Sequence, residues 1–424
     1  MSRAGEVERP PRSGAVGGVD LSLGALASVY LLDSLSYSLM LPLLPFILEG
    51  YAAGAIEGGA LIATHALFTA LSGPLLGGLS DRIGRKQVIA GTVLGAAASY
   101  LIFGMSRSLT MLFVARALAG AMAGNLGVIR AAAADRSSID SRAKVMGVIN
   151  AAGAMGFVLG PALGALIGPR GNATTWWVGL VGGAAAGLAL TMVLVCYREA
   201  RQAPSPPVPD GFSPGRSRPF ALDGWRWQLL GLIGVAAMAE AGLVSVTPFL
   251  ASLALAWTPR QVGILFLWVA IFIVVTQLTV VPRLAKAAGD RRALVLALTL
   301  CAGVLVALVL ASHSVTVLVI GAPLLFFGIT AIQTVCLSCL SKIAEPTERG
   351  TLLGVASSAS SAGRILGPAL CGVLFVRAGP TAPYGLMAAA IGAWLLWLSF
   401  GHQAKALGRG PSRRPVRGED AGDD

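Results

Sequence analysis

Four ionisable side chains stand inside stretches that are otherwise apolar: Asp33, Arg116, Glu240 and Arg364. An ionisable group deep in hydrocarbon is costly, so each is read first as functional. A carboxylate in a partly dry cavity favours its protonated form, and a neighbouring guanidinium favours its charged form again. Such a group can take up and release a proton, or hold an organic cation in the proton's place. At 1.5 Å of rise per residue, Asp33 falls about 18 Å, Glu240 and Arg364 about 20 Å, and Arg116 about 21 Å from the same end of their helices. Two acids and two bases at one depth predict two compensated pairs, Asp33 with Arg116 and Glu240 with Arg364. The competing reading for each is a structural ion pair that locks helices together. Tyr37, one turn after Asp33, is a candidate substrate contact, as are Asn125 and Gln333 on other apolar segments. For these three the competing reading is an interhelical hydrogen bond. His65 is either a proton relay or a packed, neutral histidine.

The elements that must carry these residues follow from the apolar runs. A spanning helix needs about 20 mostly apolar residues. Twelve segments qualify, at about 21–47, 57–79, 87–105, 110–131, 145–168, 175–197, 227–250, 260–283, 293–311, 315–341, 352–376 and 382–400. Strands are excluded, because an open sheet leaves its backbone unpaired in hydrocarbon. Composition agrees: the 424 residues are 55% hydrophobic and only 12% charged, with mean hydropathy +0.75. Soluble proteins carry roughly 25% charged residues, so a set of soluble domains is ruled out. The expected fold class is an all-α membrane protein of twelve transmembrane helices. The five cysteines lie in or beside apolar segments and argue against a disulfide scaffold. Cys336 and Cys339 form a C-x-x-C inside one apolar helix with no second ligand pair, so they read as packing and not as a metal site. The first 20 residues mix acidic and basic side chains without an apolar core, unlike a secretory signal.

Charge sets the topology. Of the 32 Lys and Arg, Arg116 and Arg364 lie within helices, and Arg107, Arg170, Arg260 and Arg377 lie in loops on one side. The remaining 26 fall in the tails and the loops of the other side. The positive-inside rule then places both termini in the cytoplasm. In this setting the net charge of +12 reflects cytoplasmic loops and no nucleic-acid partner. The expected organisation is a tail at 1–20, a six-helix bundle at 21–197, a proline-rich basic linker at 198–226, a second six-helix bundle at 227–402 and a tail at 403–424. The two bundles repeat. Arg142 answers Arg349, Gly147 answers Gly354, and Gly160-Pro161 answers Gly367-Pro368, each at an offset of 207 residues. Asp33 answers Glu240 at the same offset. Parallel six-helix repeats mark transporters whose site lies between the halves near the midplane.

The turn between the second and third segments reads Gly77-Gly78-Leu79-Ser80-Asp81-Arg82-Ile83-Gly84-Arg85-Lys86. Glycines permit a tight approach and turn there. Asp81 can engage a helix N-terminus or a cation of the facing half and lose it when the halves rock, which makes this a gating latch. Arg142 and Arg349 begin the repeated helices beside it. The alternative is a solvated charged turn that holds orientation. Pro161 and Pro368 remove backbone donors inside helices. With Gly156, Gly160, Gly164 and Gly367 they are expected to form a hinge or seal between the halves, with plain helix packing as the alternative.

GGLSDRIGRK resembles the loop 2–3 signature of the major facilitator superfamily. Arg116-Ala-Leu-Ala-Gly120 with Gly124 resembles its helix-four signature. GAMGFVLGPALGALIG at 153–168 resembles the helix-five motif of the antiporter branch. Asp33 with Pro42-Leu-Leu-Pro45 resembles the first helix of twelve-helix drug–proton antiporters, and the layout is similar to bacterial tetracycline efflux proteins. The resemblance covers about 21–400. It implies two pseudo-symmetric six-helix bundles, alternating access and a bacterial inner-membrane location. Two positions depart from it: PRLAKAAGDRRAL at 282–294 is a degenerate second latch, with Lys286 near the place of Asp81, and the segment 293–311 carries no acid where a tetracycline exporter would be expected to have one.

The reading is a secondary active transporter and not an enzyme. It is expected to export a small amphipathic or cationic compound against inward proton flow, as a monomer in the lipid bilayer. No cofactor is expected beyond the proton gradient. A proton symporter or uniporter that imports a metabolite or ion is the alternative within transport. A sensor or assembly partner on a transporter fold is the alternative of another class.

Overall fold

The computed structural model describes residues 21–138, 141–166, 172–199, 224–343 and 348–400. Both tails, most of the linker (200–223) and the loop with Arg170 lie outside the described residues, as do the side chains of Lys286 and Arg349. Among the described residues there is no strand. The apolar runs form α1 (Leu21–Glu49), α2 (Ala55–Ile83), α3 (Arg85–Gly104), α4 (Leu109–Asp135), α5 (Arg142–Leu166) and α6 (Asn172–Cys196). After the linker come α7 (Gly224–Leu255), α8 (Pro259–Val281), α9 (Ala287–Leu310), α10 (Val315–Ile343), α11 (Arg349–Arg377) and α12 (Ala382–Phe400). Eleven are long and apolar enough to cross a membrane; in the twelfth, the apolar helix Ala382–Leu398 is shorter.

Two elements depart from simple rods for local reasons. In α1 the prolines Pro42 and Pro45 lack backbone donors, and a 3₁₀ turn at Leu41–Leu43 joins Leu21–Met40 to Leu44–Glu49. The stretch 284–292, left between the expected helices 260–283 and 293–311, is helical on both sides of a single kink at Gly289, where φ is 76°. Its Ala, Leu, Lys and Arg residues are good helix formers, and glycine takes the one left-handed position.

Glycines set how each bundle packs. A Cβ on Gly156 would run into the Leu31 carbonyl, and one on Gly160 would meet the Ser38 hydroxyl, with the Leu35 carbonyl at 2.6 Å and the Leu39 nitrogen at 2.7 Å. The α5 motif therefore seats on α1 inside the first bundle. In the second bundle Gly363 and Gly367 seat on the α7 backbone at Gly234, Met238 and Gly242. This corrects the expectation that Gly156, Gly160, Gly164 and Gly367 meet the opposite half: they hold two helices of one half in backbone contact. Pro161 is buried in the same helix. We predict that Gly160→Val costs about 1–3 kcal/mol by overpacking, read as a lowered Tm of the purified protein.

Among the described residues, the close glycine contacts between the halves lie elsewhere, at one face. A Cβ on Gly59 of α2 would strike the Pro368 carbonyl of α11, and one on Gly372 would lie 2.5 Å from the Ala55 carbonyl. A Cβ on Gly58 would lie 2.9 Å from the Phe249 ring of α7, and one on Gly263 of α8 would lie 2.7 Å from the backbone nitrogen of Ala165 in α5. All of these residues sit at the face remote from the start of α1, here the distal face. There the apolar core is continuous through both halves, from Leu39–Leu48 to α7 and α11. At the terminal face, where α1 and α7 begin, a second core of Leu26, Val29, Val88, Val128 and Val193 stays within the first half. The halves are thus closed at the distal face and parted at the terminal one.

Candidate functional site

Parting the halves leaves a chamber of about 730 Å³ between α1, α2, α5, α7 and α11. On α2 it runs from Ile62 to Pro74 and on α11 from Ile365 back to Gly354, so it extends from mid-depth toward the terminal face. A smaller chamber of about 190 Å³ opens beside it and contains Asp33, Ser34, Tyr30 and Tyr100. Tyr37, His65, Phe157 and Arg364 line both. The rings of Tyr37 and His65 are stacked at 4.8 Å. A narrow gap continues past Asp33 to Asn125.

Glu240, Gln333 and Arg364 come together. Gln333 Nε2 donates to Glu240 Oε2 at 2.8 Å, and Arg364 Nη2 stands 3.7 Å from the same oxygen. The carboxylate thereby joins α7, α10 and α11 in the wall of the larger chamber. The Glu240 side chain keeps 28% of its surface exposed and that of Arg364 keeps 54%, so both remain open to a ligand or to water.

Asp33 and Arg116 do not form the expected ion pair: among the described residues no ion pair of 4 Å or less joins them. Arg116 is 1% exposed, and its guanidinium lies 5.1 Å from the Phe103 ring centre and 5.9 Å from that of Tyr100. The aromatic faces take the cation in place of a direct carboxylate partner. Its Nε and Nη1 have no hydrogen-bond partner. The helix-four motif explains how Arg116 is held. Gly120, one turn on, lets α4 touch the α2 backbone at His65, and Gly124 does the same at Ser72 and Gly73. Thr69 of α2 donates to the Gly120 carbonyl at 3.1 Å. Asn125 sits where α4 breaks between Ala123 and Leu126, and its Nδ2 donates to Thr92 Oγ1 at 3.0 Å. That is the interhelical hydrogen bond that was its competing reading.

The charged turn is organised within the first half. Asp81 Oδ1 lies 2.6 Å from Arg85 Nη1, and Arg85 also reaches Ser80 and Asp135, the latter at 3.3 Å. Glu199 accepts from the Arg85 backbone nitrogen at 2.5 Å, and Lys86 donates to the Leu194 carbonyl at 3.1 Å. The hub joins α2, α3 and α4 to the end of α6. Gly84 takes φ 100°, which favours glycine, whereas a Cβ on Gly77 would meet open space. Among the described residues Asp81 has no partner in the second half, because the halves are apart at this face. Arg82 and Arg142 are exposed there. Glu199 was missed by sequence reading because it falls in the linker. The serines Ser357, Ser358 and Ser361, which line the chamber, carried a visible signal: polar residues at one-turn spacing in an apolar helix.

Two six-helix bundles around a charged cavity, closed at one face and open at the other, define a multi-pass integral membrane transporter. The family model described as Major Facilitator Superfamily matches residues 26–332 and 229–420. This chain belongs to that superfamily, whose members are transporters and not enzymes. It is 26% identical over 357 residues to multidrug resistance protein 1 of Bacillus subtilis (strain 168), which covers 84% of this chain and 90% of the relative. It is 32% identical over 143 residues to the class H tetracycline resistance protein of Pasteurella multocida, spanning 33% of this chain and only 36% of the relative's length. The crystal structure of the human organic anion transporter MFSD10 (TETRAN) superposes with a TM-score of 0.64 at 24% identity, covering 89% of this chain and 99% of that one. That likeness shows the shared fold.

Proposed function

We propose that this chain exports a small amphipathic or cationic compound in exchange for protons by alternating access, with Asp33 and Glu240 as the exchanging carboxylates. The observation that carries the reading is the paired chambers. Asp33 faces a space of about 190 Å³, which suits water and protons, and Glu240 faces one of about 730 Å³, within the 300–1,000 Å³ usual for drug-sized ligands. Similarity to a multidrug resistance protein over 84% of the chain supports a drug-like substrate. The basic residues crowd the terminal face, so we place that face in the cytoplasm of a bacterial cell. The described state then opens inward, and rocking would part the glycine seal and bring Asp81 toward the second half.

The test uses acid-loaded everted membrane vesicles and ethidium. Addition of ethidium is expected to raise luminal pH as protons leave in exchange for the dye. An unchanged lumen while ethidium still moves would exclude proton antiport of this compound.

A further inference from the structure

Arg364 belongs to the second half, yet it lines the Asp33 chamber, where every other lining residue comes from the first half. It also stands 3.7 Å from Glu240, at the outer limit of an ion pair, with 54% of its side chain exposed. One partly exposed guanidinium therefore lines the chambers of two carboxylates that belong to opposite halves. We propose that Arg364 is a shared counterion: it moves toward Asp33 when Asp33 is ionised and returns to Glu240 when Asp33 takes up a proton. This rests on the reading of Asp33 and Glu240 as the proton and cation sites, and it supplies the link between them.

The charge balance closes. With Asp33 ionised and Arg364 drawn to it, Glu240 is free to hold a monovalent organic cation. A proton then arrives on Asp33 and neutralises it. Arg364 swings back to Glu240 and competes with the bound cation, which leaves. One positive charge enters the site and one departs, so the exchange is electroneutral. The described structure, with Arg364 beside Glu240, matches the protonated, unloaded stage.

Other charged and titratable groups also face the two carboxylates. Asp33 is faced by Tyr30 and Tyr37 of its own helix, His65 of α2 and Tyr100 of α3. Arg116 of α4 lies within electrostatic reach of Asp33 but is buried against two aromatic rings. Glu240 is faced by Gln333 of α10, which donates to it, and by Arg364, and Tyr37 of α1 and His65 of α2 line the same chamber. Among the described residues, Arg364 is the one cation that lines both chambers.

The test is a titration that needs no substrate. The carboxyl stretch of Asp33, assigned by its loss in Asp33→Asn, is followed against pH by infrared difference spectroscopy on the reconstituted full chain. Glu240→Gln releases Arg364 to Asp33 and is expected to lower the pH at which Asp33 titrates by about one unit, a tenfold change in proton affinity. Part of any shift comes directly from removing a nearby negative charge. The same substitution is therefore made in an Arg364→Gln background, where the shift is expected to shrink to less than about a third. Arg364→Lys keeps the charge and is expected to keep most of the coupling, which separates it from a loss of folding. Equal shifts in the two backgrounds, or no shift in either, would overturn the proposal. Failure of proton-coupled ethidium transport would count against the antiport reading and leave this titration result standing.

Discussion

Asp33→Asn is expected to abolish ethidium movement driven by a pH gradient in everted vesicles, while the protein still inserts and purifies as a folded species. Asparagine matches aspartate in size but cannot exchange a proton. It imitates the protonated acid permanently. Asp33 makes no ion pair of 4 Å or less with Arg116 among the described residues, so its loss breaks no structural bridge and folding is spared. Arg364 would stay with Glu240, and residual ethidium binding should become weak and independent of pH in the range where the wild type titrates. The measurements are luminal pH on dye addition and ethidium fluorescence in detergent at several pH values. Normal pH-driven movement in this variant would show that Asp33 does not carry the proton.

Gly59→Leu is expected to stop transport for a different reason. The distal seal brings the α2 and α11 backbones together at Gly59 and Pro368, with Gly372 against Ala55 as the reciprocal contact. A leucine side chain cannot occupy that gap, and the clash is with backbone, which has no rotamer to change. The strain falls only on the state in which the seal is shut. The substitution should therefore shift the population away from the state open at the terminal face. A reporter makes this visible: Ser357→Cys lines the chamber on its terminal side and should react with an impermeant maleimide applied to that face. Adding Gly59→Leu is expected to slow this labelling by about tenfold, which requires a population shift of at least roughly 1.4 kcal/mol. Unchanged labelling with intact transport would mean that the Gly59 contact is not part of the gate. Gly160→Val offers the contrast, since its clash lies within one bundle and penalises every state alike.

The two classes of glycine could not be told apart by their motif. Gly160-Pro161 and Gly367-Pro368 are twins in sequence, and both glycines pack within their own half. Yet the Pro368 carbonyl meets Gly59 across the interface. Gly59 itself belongs to no repeat and gave no signal in the sequence. Its importance comes from the tilt that brings the distal ends of α2 and α11 together.

What the chain determines by itself is what hydropathy and charge encode along one dimension. Apolar runs of sufficient length define twelve spanning elements. The segregation of Lys and Arg orders the loops, the offset of 207 residues relates the halves, and helical rise puts Asp33, Arg116, Glu240 and Arg364 at one depth. Depth follows from counting residues. Rotation about the helix axis does not, because a helix that is apolar on all sides has no polar face to orient it against its neighbours. Tertiary packing decided those rotations. It laid Arg116 over Phe103 and Tyr100 in place of pairing it with Asp33, and it joined Glu240 to Gln333. It also brought Arg364 of one half into the chamber of the other. Which face is sealed was likewise a matter of packing, since the same glycines are compatible with either face being open until two backbones meet.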